Sequence, residues 1–182
     1  MKRLLLIFLF LGVAHAQSIN LDKGLGGIQL GKPYPVGVEA PDLMNQYYSV
    51  PPHSARFLRT SHGVAPELAG VADTLAEVTT GVWDGKVCTI IYEGVCHDAG
   101  RLIRGLTRRY GKPERTFDRI TKQSLYRWRS KRTASIVAVG FTAFPFDKSM
   151  GQLNLSVAKQ PETKEMLYLL GAQKAMLEDE RH

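Results

Sequence analysis

The sequence predicts an α+β domain: an antiparallel sheet of about four to five strands with helices packed on one face. Three observations predict it. Residues 98–110 place apolar side chains at helical spacing between a capping aspartate and a Gly-Lys-Pro stop. Residues 125–129, 135–141 and 152–157 alternate, or cluster β-branched residues, as strands do. Residues 162–180 are strongly helical in composition.

Taken in order, residues 1–16 have the form of a secretory signal peptide. Lys2 and Arg3 precede an apolar run from 4 to 13, and Ala14-His15-Ala16 fits the small-x-small cleavage rule. Cleavage there leaves Gln17 first. No later stretch reaches the roughly 18 apolar residues of a membrane-spanning helix, so no transmembrane segment is expected. These features predict a periplasmic or secreted protein. Residues 17–65 then form a Gly/Pro-rich N-terminal segment, partly irregular, ahead of an α+β domain over 66–182.

Within that segment Gly27 to Gly31 reads as a short strand entering a turn. The spacing Gly26-x4-Gly31-Lys32 only superficially matches a phosphate-binding loop, because Pro33 stands where Ser or Thr must hold magnesium. Residues 34–64, with scattered prolines and Tyr47-Tyr48, read as a partly ordered surface excursion. Residues 67–78 fit either a helical stripe or a strand. The turn pair Asp84-Gly85 and the run Val78-Thr79-Thr80 favour a strand at the end of that stretch.

Residues 82–113 form the hub. A strand over 87–92 leads to a helix that Asp98 can cap, with Ala99, Leu102, Ile103, Leu106 and Tyr110 on one face. Gly111 sits where a left-handed C-cap belongs, and Pro113 forbids continuation. After it come the strand at 125–129, a polar turn at 130–133, the strand at 135–141, a loop at 144–151 and the strand at 152–157. The closing helix buries Met166, Leu167, Leu170 and Leu177.

Both cysteines, Cys88 and Cys96, lie in the hub. Two cysteines in an exported chain point to one structural disulfide, closing a loop of about nine residues. Metal or redox chemistry is the alternative. Yet Cys-x7-Cys is not the Cys-x-x-Cys of thiol oxidoreductases, and His53, His62 and His97 show no metal-ligand spacing. Neither metal nor cofactor is expected.

The chain carries 24 Lys and Arg against 17 Asp and Glu, and removing Lys2 and Arg3 leaves 22 − 17 = +5. The excess clusters. Arg101, Arg104 and Arg108 recur on the helix face opposite the leucines, with Arg109 and Lys112 close by. Arg127 and Arg129 lie on one side of a following strand and extend the patch if that strand packs nearby. Such a surface is either a solvated polar face or a docking site for an acidic partner. An exported protein meets an envelope protein or an acidic envelope component there, and not nucleic acid.

The pieces Gly27 to Gly31, Tyr110-Gly111-Lys112-Pro113 and Tyr126-Arg127-Trp128 follow a run that resembles small bacterial envelope proteins of the SmpA/OmlA type, which support outer-membrane protein assembly. The resemblance covers about a third of the mature chain. It departs in lacking a lipidated cysteine and in carrying about fifty extra residues before the main helix. It implies a small α+β envelope module, and no functional residue carries over.

Two function classes follow. One is an exported, non-catalytic binding protein: an envelope assembly factor, an inhibitor or a toxin-immunity protein. The other is an envelope hydrolase acting on a polymer or ester, for which Glu93, His97, Asp98, His53 and His62 are the scattered candidates. There is no Gly-x-Ser-x-Gly and no His-Glu-x-x-His. The binding class therefore leads, with no catalytic residue assigned.

Overall fold

The computed structural model describes residues 19–35, 46–50, 53–60, 65–73, 77–130 and 135–159. Strands β1 (Gly24–Leu25) and β2 (Ile28–Gln29) form a small hairpin. The others are β3 (Gln46–Val50), β4 (His53–Thr60), β5 (Glu77–Trp83), β6 (Lys86–Cys96), β7 (Glu114–Asp118), β8 (Gln123–Ser130), β9 (Ser135–Ala143) and β10 (Gly151–Lys159). Helix α1 (Ala99–Tyr110) stands between β6 and β7, and a short 3-10 turn at Pro66–Leu68 precedes β5.

The eight longer strands make one sheet in the order β3-β4-β5-β6-β10-β9-β8-β7. Every neighbouring pair is antiparallel. The chain lays down one four-stranded meander, crosses through α1 to the far edge, and returns as a second. Its last strand, β10, closes against β6.

This architecture corrects the expected fold class. The protein is mostly β, with one twelve-residue helix among the described residues in place of a helical layer on four to five strands. Two physical reasons explain the difference. Strands β3 and β4 fall inside the stretch read as an irregular excursion, and their paired sequences show no period of two. Strand β7 is an edge strand with four of its five residues exposed, so it too lacks the alternation of a half-buried strand. The expected closing helix over 162–180 and the leader over 1–16 lie outside the described residues, as does the polar turn expected at 130–133 apart from Ser130, which ends β8.

Local chemistry explains the parts that were legible. Asp84 and Gly85 both have positive φ, 46° and 76°, which suits a tight hairpin whose twist matches its strands. Helix α1 starts at Asp98, whose Oδ1 accepts the Arg101 backbone N–H at 2.8 Å. It ends at Gly111, φ 85°, whose N–H donates to Thr107 O at 2.8 Å.

The predicted disulfide is also corrected. Both cysteines stand on β6, which stays extended from Lys86 through Cys96 instead of turning back after Tyr92. Eight residues of strand at ~3.3 Å each separate them by about 26 Å, whereas a bridge spans about 5.5 Å between α-carbons. Both thiols are free. Cys88 Sγ donates to Gly81 O at 3.3 Å, and Cys96 Sγ donates to Val71 O at 3.2 Å. Cys88 is moreover the extra residue of a bulge, because Gly81 faces Thr89 while Val82 faces Val87.

One core runs through the molecule. Ile90, Tyr92 and Cys96 of β6, Leu153, Leu155 and Val157 of β10, Val137 and Val139 of β9, and Trp128 of β8 meet Leu102 and Leu106 of α1 in it. Ile19, Leu21, Leu25 and Ile28 join the same cluster, so the first hairpin is built into the core. Residues alternating with these turn to the opposite face of the sheet, where Ile91, Glu93, Asn154, Ser156, Ala138, Arg127 and Arg129 are at least partly exposed.

Candidate functional site

Helix α1 presents the largest arginine array that the described residues place on one element. Leu102 and Leu106 are fully buried, which fixes the helix rotation, and Arg101, Arg104 and Arg108 are exposed. Arg101 Nη1 also donates to Gly70 O at 3.3 Å, tying the first turn to the segment before β5. The helix contains four arginines and no acid. Arg101 stands in the first turn, where the helix dipole favours anions and penalises cations.

Arg109 belongs to a different arrangement. Its Nη2 donates to Asp22 Oδ2, and that hydrogen bond holds the guanidinium pKa above its ordinary value. Beside it, the Tyr110 hydroxyl accepts the Leu21 N–H at 2.8 Å, and burial pushes its pKa up to about 12. Arg109 and Tyr110 therefore clamp the end of α1 onto the first hairpin. Sequence reading grouped Arg109 with the basic surface because nothing local marks Asp22, 87 residues away, as its partner.

Arg127 and Arg129 do not extend the helix patch. Trp128 between them is buried in the core, so strand alternation sends both arginines to the other face of the sheet. There Arg129 Nε lies 3.6 Å from Glu114 Oε1, both side chains more than half exposed, a pair of little energetic weight. Arg115 of β7 lies over the Tyr126 ring, 5.3 Å from its centroid. The predicted arginines are thus divided between the two sides of the sheet.

Arg127 lines a shallow concavity of about 350 Å³ on that outer face, together with Glu114, Asn154, Ser156, Ala138 and Gly140. Small side chains on β9 and β10 make the depression, and Asn154 Nδ2 donates to Glu93 Oε1 at 2.7 Å beside it. Sequence reading missed it. Its residues come from four strands, and only the fold aligns them.

The hydrolase candidates disperse. Asp98 caps α1, and Glu93 holds Asn154. His97 Nε2 and Asp73 Oδ1 lie 2.6 Å apart at the surface, while the Tyr92 hydroxyl donates to the Asp73 carbonyl. The neighbouring thiol gives this pair no nucleophile. Cys96 is fully buried, bonded to Val71 O, and its pKa is pushed up to about 11 chiefly by burial. His53 opens β4, and His62 lies outside the described residues. Among the described residues no three His, Cys, Asp or Glu side chains gather as a metal site. No described helix is long and apolar enough to cross a membrane. The Gly26-to-Lys32 stretch runs through the β1–β2 hairpin and pairs with β6 through Gly31 N–H to Val87 O at 2.7 Å. Among the described residues no helix follows it directly, and Pro33 stands where Ser or Thr would be needed, so it lacks the frame of a phosphate loop. Comparison with protein-family models, with curated proteins and with solved structures finds no match to this chain.

Proposed function

We propose that this chain is an exported, non-catalytic binding protein that meets an acidic partner, an envelope protein or other acidic envelope component, through Arg101, Arg104 and Arg108. The leader-like residues 1–16 support export, and the resemblance of residues 27–31, 110–113 and 126–128 to SmpA/OmlA-type proteins supports an envelope setting. One observation carries the binding role. Three exposed arginines occupy a helix whose other face is locked into the core, and the first of them sits where the helix dipole disfavours a cation. The helix dipole gives that placement no advantage and the Arg101 side chain makes one hydrogen bond among the described residues, to Gly70 O, whereas an acidic partner gains a row of guanidinium forks on one helix face.

The experiment is elution of the exported protein from an anionic polysaccharide matrix. Replacing all three arginines with Gln should leave far-UV circular dichroism unchanged and lower the eluting salt concentration, because such contacts are screened by salt. Elution at the wild-type salt concentration overturns the reading. The mass of the exported protein should correspond to a chain starting at Gln17. Retention of residues 1–16 refutes the leader.

A further inference from the structure

The four large apolar side chains that the described residues leave exposed all belong to the β7–β8 hairpin or the β9–β10 loop. They are Phe117 (57%), Ile120 (93%), Leu125 (37%) and Phe146 (81%). Scattered singly, such residues mean nothing. Here the register places Ile120 and Phe146 at one end of the sheet, while Phe117, opposite Ser124, and Leu125, opposite Thr116, take opposite faces of the hairpin behind them. Ser124 of β8 faces Phe141 of β9, so the turn at 119–122 reaches the level of Ala143, where the loop at 144–150 begins. Because β8 and β9 are neighbours in the sheet, the two tips lie side by side at one end of it.

Both tips carry turn residues, Asp118 in one and Pro145, Asp147 and Ser149 in the other, but each also carries an apolar side chain that its turn does not need. A tight turn favours Gly, Asn, Asp or Ser, yet Ile120 occupies the β7–β8 turn almost fully in solvent. Both tips are held firmly. Asp118 Oδ1 accepts the N–H groups of Ile120 at 2.8 Å and Thr121 at 3.3 Å. Asp147 Oδ1 accepts Ser149 N–H at 2.8 Å and Ser149 Oγ at 2.7 Å, and Phe144 stacks on Phe146 at 5.3 Å. These hydrogen bonds hold both carboxyl pKa values below the ordinary aspartate range. The two acids are occupied in pinning the turns. Arg119, Lys122 and Lys148, all exposed, stand on the same tips.

We infer that these two hairpin tips form a membrane-docking edge: Ile120 and Phe146 enter the interfacial region of an anionic bilayer while Arg119, Lys122 and Lys148 meet its headgroups. Apolar side chains beside cations at a protruding end are the composition that such an interface selects, and rigid tips lose little entropy on insertion. The inference goes beyond the arginine row of α1, which it does not require. It needs only that the protein meets a membrane surface, as an exported envelope protein does.

The test is co-sedimentation of the exported protein, freed of residues 1–16, with vesicles of phosphatidylglycerol and phosphatidylcholine or of phosphatidylcholine alone. Binding should require the anionic lipid. The double variant Ile120→Ser, Phe146→Ser should lose at least tenfold in vesicle affinity with an unchanged melting temperature, since neither side chain is buried. It should still elute from an anionic polysaccharide matrix at the wild-type salt concentration, which separates this surface from the α1 row. Replacing Arg119, Lys122 or Lys148 singly with Gln should cost about fivefold each at low salt. Wild-type protein that ignores anionic vesicles at low ionic strength overturns the inference, as does a double variant that binds them undiminished. A concentration-dependent dimer that the double variant abolishes, without vesicle binding, assigns the tips to a second copy and overturns it equally.

Discussion

The two faces of the eight-stranded sheet are made by the same strands and obey different rules. On one face Ile90, Tyr92, Trp128, Val137, Leu153, Leu155 and Val157 interlock with Leu102 and Leu106 of α1. On the other, the same strands offer Glu93, Arg127, Ala138, Asn154 and Ser156, small or polar and arranged around a shallow concavity. Alternation along each strand produces both faces at once. The packed face carries the stability and the open one carries little, so single substitutions should separate them sharply.

The largest effect belongs at Trp128, which is 1% exposed and stacks on Tyr126 with ring centroids 6.1 Å apart. Trp128→Ala leaves a cavity that the fixed sheet cannot close, and should cost about 3–5 kcal/mol. Trp128→Phe keeps an aromatic ring there and should cost clearly less. Urea midpoints of the two variants measure the difference. A Trp128→Ala protein within 1 kcal/mol of wild type would mean that the packed face does not hold the fold.

How much of this was visible beforehand follows from the same contrast. Helix α1 was legible to its caps, because Asp98, the leucine spacing and Gly111 act within a dozen residues of one another. Strands β9 and β10 were legible for the same reason, since each shows one buried face locally. Edge strand β7 was not, because one-sided pairing and exposure remove the alternation that sequence reading depends on. The cysteines show the limit most clearly. Spacing and export suggested a bridge, but whether a chain turns between two positions depends on its neighbours, and β6 stays straight because β10 pairs with it from Thr89 to Cys96. The arginines divide likewise. The α1 row follows from helical period, whereas the Arg109–Asp22 clamp and the turning away of Arg127 and Arg129 are set by tertiary partners.

The packed side should also announce itself at alkaline pH. Burial pushes the pKa of Cys88 and Cys96 up to about 11 and those of Tyr92 and Tyr110 up to about 12. In the unfolded chain these groups lose their protons at lower pH. Their contribution is therefore complete below about pH 9 and is lost as pH rises towards 12. Urea midpoints should fall steadily over that window. Cys88→Ala and Cys96→Ala together should flatten its lower part, and thiol labelling should find two reactive groups in urea and neither in the folded protein at pH 8 without reductant. Labelling blocked until reductant is added would restore the bridge.

Asp98 tests the join between the faces, because it sets where α1 begins. Asp98→Ala removes the acceptor for Arg101 N–H and should cost about 1 kcal/mol, the ordinary range for an N-cap. Asp98→Asn keeps the acceptor and should recover most of it. A loss equal in both variants would indicate that the carboxylate charge beside the arginine row, and not the cap, is what matters.

The smallest effect belongs to the open face. Asn154 Nδ2 donates to Glu93 Oε1 at 2.7 Å, but Glu93 is exposed and water can replace the bond on either side. Asn154→Ala should therefore change stability by no more than about 0.5 kcal/mol, as surface substitutions usually do. The substitution also removes a polar wall from the concavity that Arg127, Ser156 and Ala138 line. Any ligand seated there should feel the change in affinity without any change in the urea midpoint. A stability loss comparable to that of Trp128→Ala would mean that the outer face is packed as well, and the contrast between the two faces would fail at the residue where it predicts the least.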